Sequence, residues 1–293
     1  MCLVEGRDQP TELKVRFVLA DKLPMGVLAS TIRVASAESI QELVKRARLR
    51  LLRMHFEAKV GHLGGNLSCL DALMVLYHRA LTETDQFVLS KGHAAGALYV
   101  TLWTKGILTD CDLETFHQEG TLLAGHPIPA WSPHIPFATG SLGHGLANAA
   151  GLALGNRLQN KPGRVYCLTS DGEWQEGSNW EALIFLAHHN LHNLTILIDE
   201  NGLQGFGTTQ EVASLDFLAD KLCRFEVDID VIDGHDHCRI ESALKTPSRR
   251  PHIVVLRTIK GKGISFMENQ VAWHYLPMSR DQYRLAVQEI DRE

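Results

Sequence analysis

The chain reads as α/β: a doubly wound, mainly parallel sheet flanked by helices. Three observations predict this. Short apolar runs that end in turn residues alternate with helix-period segments along most of its length. Two of those runs, Val165 to Thr169 and Leu194 to Ile198, are separated by a helical stretch from Glu176 to Asn190. A strand, helix, strand crossover makes its two strands parallel. Finally, Val165 to Thr169 and Leu194 to Ile198 are apolar runs rather than alternating ones, as strands covered on both faces should be.

In order, Ser36 is the expected N-cap of a first helix, with Ile40, Leu43, Val44, Ala47 and Leu51 on one stripe. Ala58 to Asn66 reads as a loop and Leu70 to Leu81 as an apolar helix. Phe87 to Ser90 is a short buried strand, followed by a helix from Ala94 to Lys105. A Pro-rich connection covers 124–140, and a structureless stretch of that length inside a globular chain is usually functional. Leu146 to Leu158 is a helix of small residues. Phe225 to Ile232 and His252 to Thr258 are later strands, the first ending in Asp233-Gly-His-Asp and the second in Lys260-Gly-Lys-Gly. Residues 1–35 lack sustained periodicity and read as an extension, with Leu13 to Ala20 a strand that nothing places. Residues 36–293 read as a single domain.

Composition sets limits. A chain of 293 residues with 45% apolar content buries a large core. A formal charge of −5 argues against nucleic acid. The basic run Lys45-Arg46-Ala47-Arg48-Leu49-Arg50 reads as a solvated helix face. No apolar stretch approaches the ~20 residues that span a bilayer. Six scattered Cys without a Cys-x-x-Cys read as reduced core residues. Glu5, Asp8 and Glu12 stand where an export signal wants positive charge. The expected location is cytoplasmic.

The chemistry concentrates where the two parallel strands end. Asp171-Gly172 closes the first, and thirty positions on, Asn201-Gly202 closes the second. Adjacent strands lie ~4.8 Å apart, so both side chains can aim oxygens at one cation. Gly172 permits close backbone approach, and the helix start beyond it offers N–H groups to an anion. A hard cation held by few protein oxygens completes its shell with water and phosphate. The pattern describes a metal–diphosphate site, although Asp-Gly and Asn-Gly also occur as plain turns. Two histidine-rich stretches read differently. His188-His189-x-x-His192 has zinc-pair spacing without a following Glu. Asp233-Gly-His-Asp-His-Cys reads as a turn with an Asp helix cap.

Ser170-Asp171-Gly172 with Asn201 resembles the thiamine-diphosphate signature. Further blocks occur in order: Ala58-Lys-Val-Gly-His62, Phe87-Val-Leu-Ser-Lys-Gly-His93, Gly125-His126-Pro127, Thr139-Gly-Ser-Leu-Gly-His-Gly-Leu-Ala-Asn148, Asp171-Gly-Glu-Trp-Gln-Glu176-Gly, Asp199-Glu-Asn201-Gly and a late His274. Over roughly residues 40–280 the chain resembles the N-terminal half of a transketolase. Because it stops soon after, it resembles the first subunit of a split transketolase.

The resemblance implies the following. Thiamine diphosphate binds with Mg²⁺ or Ca²⁺, the cation held by Asp171, Asn201 and the carbonyl of Leu203. His93, Gly172, Glu173 and His274 lie at or beside the diphosphate, and Gly140 and Leu142 near the cofactor rings. His62, His93, His126 and His274 line the substrate channel. Glu176 sits in a carboxylate network at the subunit contact. A two-carbon ketol unit passes from a ketose, expected to be phosphorylated, to an aldose, with the cofactor as electron sink. Histidine suits the proton transfers involved. The glutamate that activates the cofactor lies in the pyrimidine-binding domain, so a C-terminal subunit is expected, in a two-plus-two heterotetramer. His144, Lys91 and Leu63 depart from the common family residues. Lys91 reads either as added charge near a phosphate or as solvated. A synthase joining pyruvate to a triose phosphate, a 2-oxo-acid dehydrogenase component and an inactive cofactor-binding protein are the competing readings.

Overall fold

The computed structural model describes residues 38–129 and 132–292. The expected N-terminal extension and its strand at Leu13 lie outside the described residues. A five-stranded sheet runs in the order β1 (Gln86–Leu89), β2 (Val165–Ser170), β3 (Leu194–Glu200), β7 (His252–Arg257), β6 (Asp228–Asp233). Every neighbouring pair in it is parallel. A two-residue hairpin, β4 (Leu203–Gln204) with β5 (Gly207–Thr208), follows β3.

The alternation of side chains along a strand divides the core. Phe87, Leu89, Leu168, Leu197, Val254 and Leu256 point to one face, under α1 (Ile40–Ala58), α2 (Leu63–Val75), α3 (Ala95–Thr104), α9 (His237–Lys245) and α10 (Arg280–Arg292). Val88, Val165, Cys167, Ile196, Ile198, Ile253 and Val255 point to the other, under α5 (Gly145–Leu158), α6 (Gly177–His188) and α8 (Leu218–Leu222). Covering both faces is what the uninterrupted apolar runs required. Two short helices complete the set, α4 (Asp110–Glu114) and α7 (Thr209–Ala213).

Several boundaries differ from expectation. Ser39 rather than Ser36 caps α1, closing a capping box with Glu42. The expected loop through Asn66 ends at His62, and Leu63-Gly-Gly-Asn66 already belongs to α2, whose thirteen residues are all buried. These glycines serve contact: a Cβ on Gly64 would stand 3.1 Å from Cγ of Lys260. The strand expected from Phe225 begins at Asp228. The basic stretch is only half solvated. Arg48 pairs with Asp71 and Arg50 with Asp110, each at 2.9 Å, and both arginines are buried. Of the cysteines described, Cys69 and Cys167 lie in the core, whereas Cys111, Cys223 and Cys238 are exposed; all five are free. Asp236 caps α9 through the N–H groups of Cys238 and Arg239, as the turn reading expected. Among the described residues no helix is long and apolar enough to cross a membrane.

Candidate active site

β2 and β3 are neighbours with Ser170 in register with Asp199, so Asp171 and Asn201 leave the same sheet edge side by side. Asp171 Oδ1 accepts the N–H of Gly172 at 2.7 Å, and Oδ2 accepts that of Gly202 at 2.6 Å. Burial and the nearby Asp199 charge push its carboxyl up to about 7. A divalent cation bound there would favour the ionised form. Asn201 and Leu203 line the same cleft, and Asn201 Oδ1 accepts the Leu203 N–H at 3.1 Å. Among the described residues no three His, Cys, Asp or Glu side chains converge as a metal set. One carboxylate, one amide and one carbonyl therefore fit a hard oxygen-seeking cation rather than zinc. A Cβ on Gly172 would approach Cβ of Gln204 to 3.1 Å, so the glycine lets the β4–β5 hairpin lie close against this turn.

The four histidines expected in the channel converge on this cleft. His62 lies 5.7 Å from His93, 6.0 Å from His126 and 5.3 Å from His274, ring centre to ring centre. His93 and His274 are 5.5 Å apart. They come from separate elements. His62 ends the loop before α2 with φ of 65°, and its N–H donates to the carbonyl of His274 at 3.0 Å. His93 follows β1, His126 sits in the Pro-rich connection, and His274 closes a short 3-10 turn. Burial lowers the pKa of all four. For His274 burial and the adjacent Lys260 reduce it to about 3. All four are thus neutral near pH 7, each with one donor and one acceptor nitrogen.

Gly140 and Leu142 also line the cleft. Gly140 has φ of 142°, and a Cβ there would stand 2.8 Å from the His126 ring. Two other residues lie apart from it. Glu173, expected beside the cofactor, is fully buried beneath the site. It accepts the Ser90 hydroxyl at 2.5 Å and the Gly143 N–H at 2.9 Å, bracing the two loops that carry His93 and Leu142. Glu176 is exposed at the start of α6, and its side chain packs beside Gly143.

Two lysines complete the cleft. Lys91 is not solvated: it is fully buried and paired with Asp199, which also accepts from Ser68 and Thr258. Burial alone would depress its pKa, and the Asp199 carboxylate reverses this and raises it. Lys260 shows in the sequence only as the end of a strand. Its ammonium reaches the Leu203 carbonyl at 3.3 Å and His274 Nδ1 at 3.0 Å, and it is 2% exposed. Burial and the charge of Lys91 lower it to about 8. A lysine at the carboxyl end of a parallel strand was the available signal. Phe206 and Tyr275 form the outer wall, 86% and 54% exposed.

The transketolase thiamine-diphosphate-binding domain matches residues 39–290. An apulose-4-phosphate transketolase subunit from Phocaeicola vulgatus is 37% identical over 265 residues, covering 86% of this chain and 94% of that protein. The 6-deoxy-6-sulfo-D-fructose transketolase subunit of a Clostridium species is 37% identical over 246 residues, covering 80% and 90%. Among solved structures, transketolase from Campylobacter jejuni superposes with a TM-score of 0.80 at 29% identity, over 86% of this chain and 42% of that one. The chain thus spans about two fifths of the full-length enzyme and nearly all of the subunits. Sequence, sheet order and cleft agree: the chain belongs to the transketolase family, and residues 39–290 are its thiamine-diphosphate-binding domain.

Proposed function

We propose that this chain is the N-terminal subunit of a two-subunit transketolase, moving a two-carbon ketol unit from a ketose to an aldose. The observation that carries this reading is the single cleft where Asp171, Asn201 and four neutral histidines meet. Asp171, Asn201 and the Leu203 carbonyl would hold Mg²⁺ or Ca²⁺. Gly172, Lys260, His93 and His274 would face the diphosphate, and Gly140 and Leu142 the rings. Thiamine diphosphate, when bound, supplies the electron sink that C2–C3 cleavage of a ketose needs. The histidines offer donors and acceptors to sugar hydroxyls and move protons without bringing a standing charge. Lys260 holds Nδ1 of His274, which leaves the Nε2 proton for a ligand.

The other half of the enzyme would come from a C-terminal subunit with the pyrimidine-binding domain, in a two-plus-two assembly with Glu176 near the contact. Exposed Leu158, Ile184 and Phe185 on α5 and α6, with Phe206, Tyr275 and Leu276 beside the cleft, support an interface of that kind. Residues 36–293 would be one domain, with 1–35 an extension to it, in a cytoplasmic protein. The names of the subunit relatives support a phosphorylated or sulfonated ketose as the substrate class. Co-expression with a candidate second subunit, followed by a donor and acceptor screen with mass detection, tests the reading. Two-carbon transfer supports it; an assembled pair that moves no ketol unit from any ketose rejects it.

A further inference from the structure

Asp71 lies in α2, 2% exposed and away from the cleft. Three side chains converge on it: Arg48 at 2.9 Å, His235 Nδ1 at 2.9 Å and His237 Nε2 at 2.7 Å. Against burial, which opposes it, the two histidine bonds and Arg48 hold its carboxyl well below the usual range. The far side of the His235 ring meets the main chain. Its Nε2 lies 2.9 Å from the backbone nitrogen of Ile259. An amide N–H only donates, so Nε2 is the bare acceptor nitrogen and the ring proton sits on Nδ1, facing Asp71. One tautomer satisfies both contacts.

Ile259 is the residue before Lys260. The ammonium of Lys260 has a carbonyl and an imidazole as partners, both neutral. Among the described residues no carboxylate pairs directly with it, so its place depends on the backbone that presents it. That backbone leaves the sheet after β7 and is tied down at Ile259 by His235 and at Gly261 by the Gly64 carbonyl at 2.9 Å. We propose that His235 is a positioning residue: oriented by Asp71, it fixes the turn after β7 and so sets where Lys260 stands in the cleft. The consequence for cofactor binding rests on the transketolase reading above; the positioning itself does not.

The test uses the full-length chain with nitrogen-15 histidine. His235 should show a bare Nε2 coupled through its hydrogen bond to the Ile259 amide; a proton on Nε2 would overturn the proposal. Two variants then separate positioning from packing. His235→Asn keeps a donor near Asp71 and is too short to accept from Ile259. His235→Gln carries an acceptor oxygen out to that amide. Modification of Lys260 by an amine-selective reagent, read by peptide mass, should rise about tenfold in His235→Asn and stay within about threefold of the parent in His235→Gln, since a net hydrogen bond is worth about that factor. Equal modification in all three proteins would also overturn it. Affinity for thiamine diphosphate with Mg²⁺ should fall in His235→Asn and return in His235→Gln. A parent chain that never binds thiamine diphosphate would reject the transketolase reading, while the tautomer and the Lys260 labelling still decide His235.

Discussion

Asp171 takes the backbone N–H of Gly202 at 2.6 Å, so the end of β2 is tied directly to the end of β3. The bond places the two cation-site candidates on a common frame before any metal arrives. Asp171→Ala removes both the charge and this tie; Asn201→Ala removes a neutral amide with its bonds to Asp199 and the Leu203 N–H. Thiamine-diphosphate affinity of the assembled enzyme, measured by calorimetry with Mg²⁺ present, should therefore fall more in Asp171→Ala than in Asn201→Ala. Unchanged affinity in both variants would remove the metal–diphosphate assignment.

The histidine cluster should matter to turnover more than to folding. His62 and His274 are half-buried and His126 is exposed, and the rings of His126 and His274 both lie against His62. Alanine at each of these, and at His93, should cost ~10² or more in rate, the usual size for a group that moves protons. Melting temperatures should stay within a few degrees of the parent. Full activity in all four variants would misplace the channel.

Lys91 should behave in the opposite way. It and Asp199 are both fully buried, and removing one partner of such a pair leaves an uncompensated charge. Lys91→Met should destabilise the chain by about 3–5 kcal/mol. Denaturant unfolding checks this. A surface lysine would give a change near zero, so a small effect would contradict the buried pair.

That contrast shows what the sequence carried and what it did not. The sheet was legible because strands buried on both faces leave unbroken apolar runs, and the side-by-side placement of Asp171 and Asn201 was legible because a crossover fixes which edge both ends share. Lys91, Arg48 and His235 were not, since each is explained by a partner far along the chain. Asp199 lies 108 residues from Lys91, and Asp71 lies 164 from His235. No local pattern encodes such a pairing. The start of α2 was missed for a related reason. Gly64 looked like a loop residue, yet its missing side chain makes room for Lys260 and Trp273. The short helix α4 was missed although its signal was local, a capping box between Thr109 and Asp112.

Acid should loosen the fold through His55. The ring is 1% exposed in α1, donates Nδ1 to the Leu51 carbonyl at 3.1 Å, and burial lowers its pKa to about 4. A base depressed in the folded state binds its proton first in the unfolded chain, so stability falls as pH drops from about 6.5 toward 4. Complete titration across that window corresponds to roughly 3 kcal/mol. His55→Asn keeps a donor for Leu51 and cannot charge, so its stability should vary less with pH over that range. Parallel pH profiles for parent and variant would discount His55 as the cause.

Catalysis should require a second protein. The described cleft brings Asp171, Asn201 and four neutral histidines together, and it opens beside exposed Phe206, Tyr275 and Leu276. On the transketolase reading, the glutamate that activates the cofactor belongs to the pyrimidine-binding domain, so this chain holds one end of the cofactor and a partner the other. The purified chain should then bind thiamine diphosphate weakly and transfer no ketol unit. Adding the partner should restore both at once, because the missing contacts and the missing acid arrive together. Charged substitutions at Ile184 and Phe185, exposed on α6, should weaken assembly without unfolding the chain, since neither side chain supports the core. Ketol transfer and sedimentation of the mixed subunits measure the two effects separately. Robust turnover by the single chain would overturn the split-enzyme reading even with the cofactor site intact.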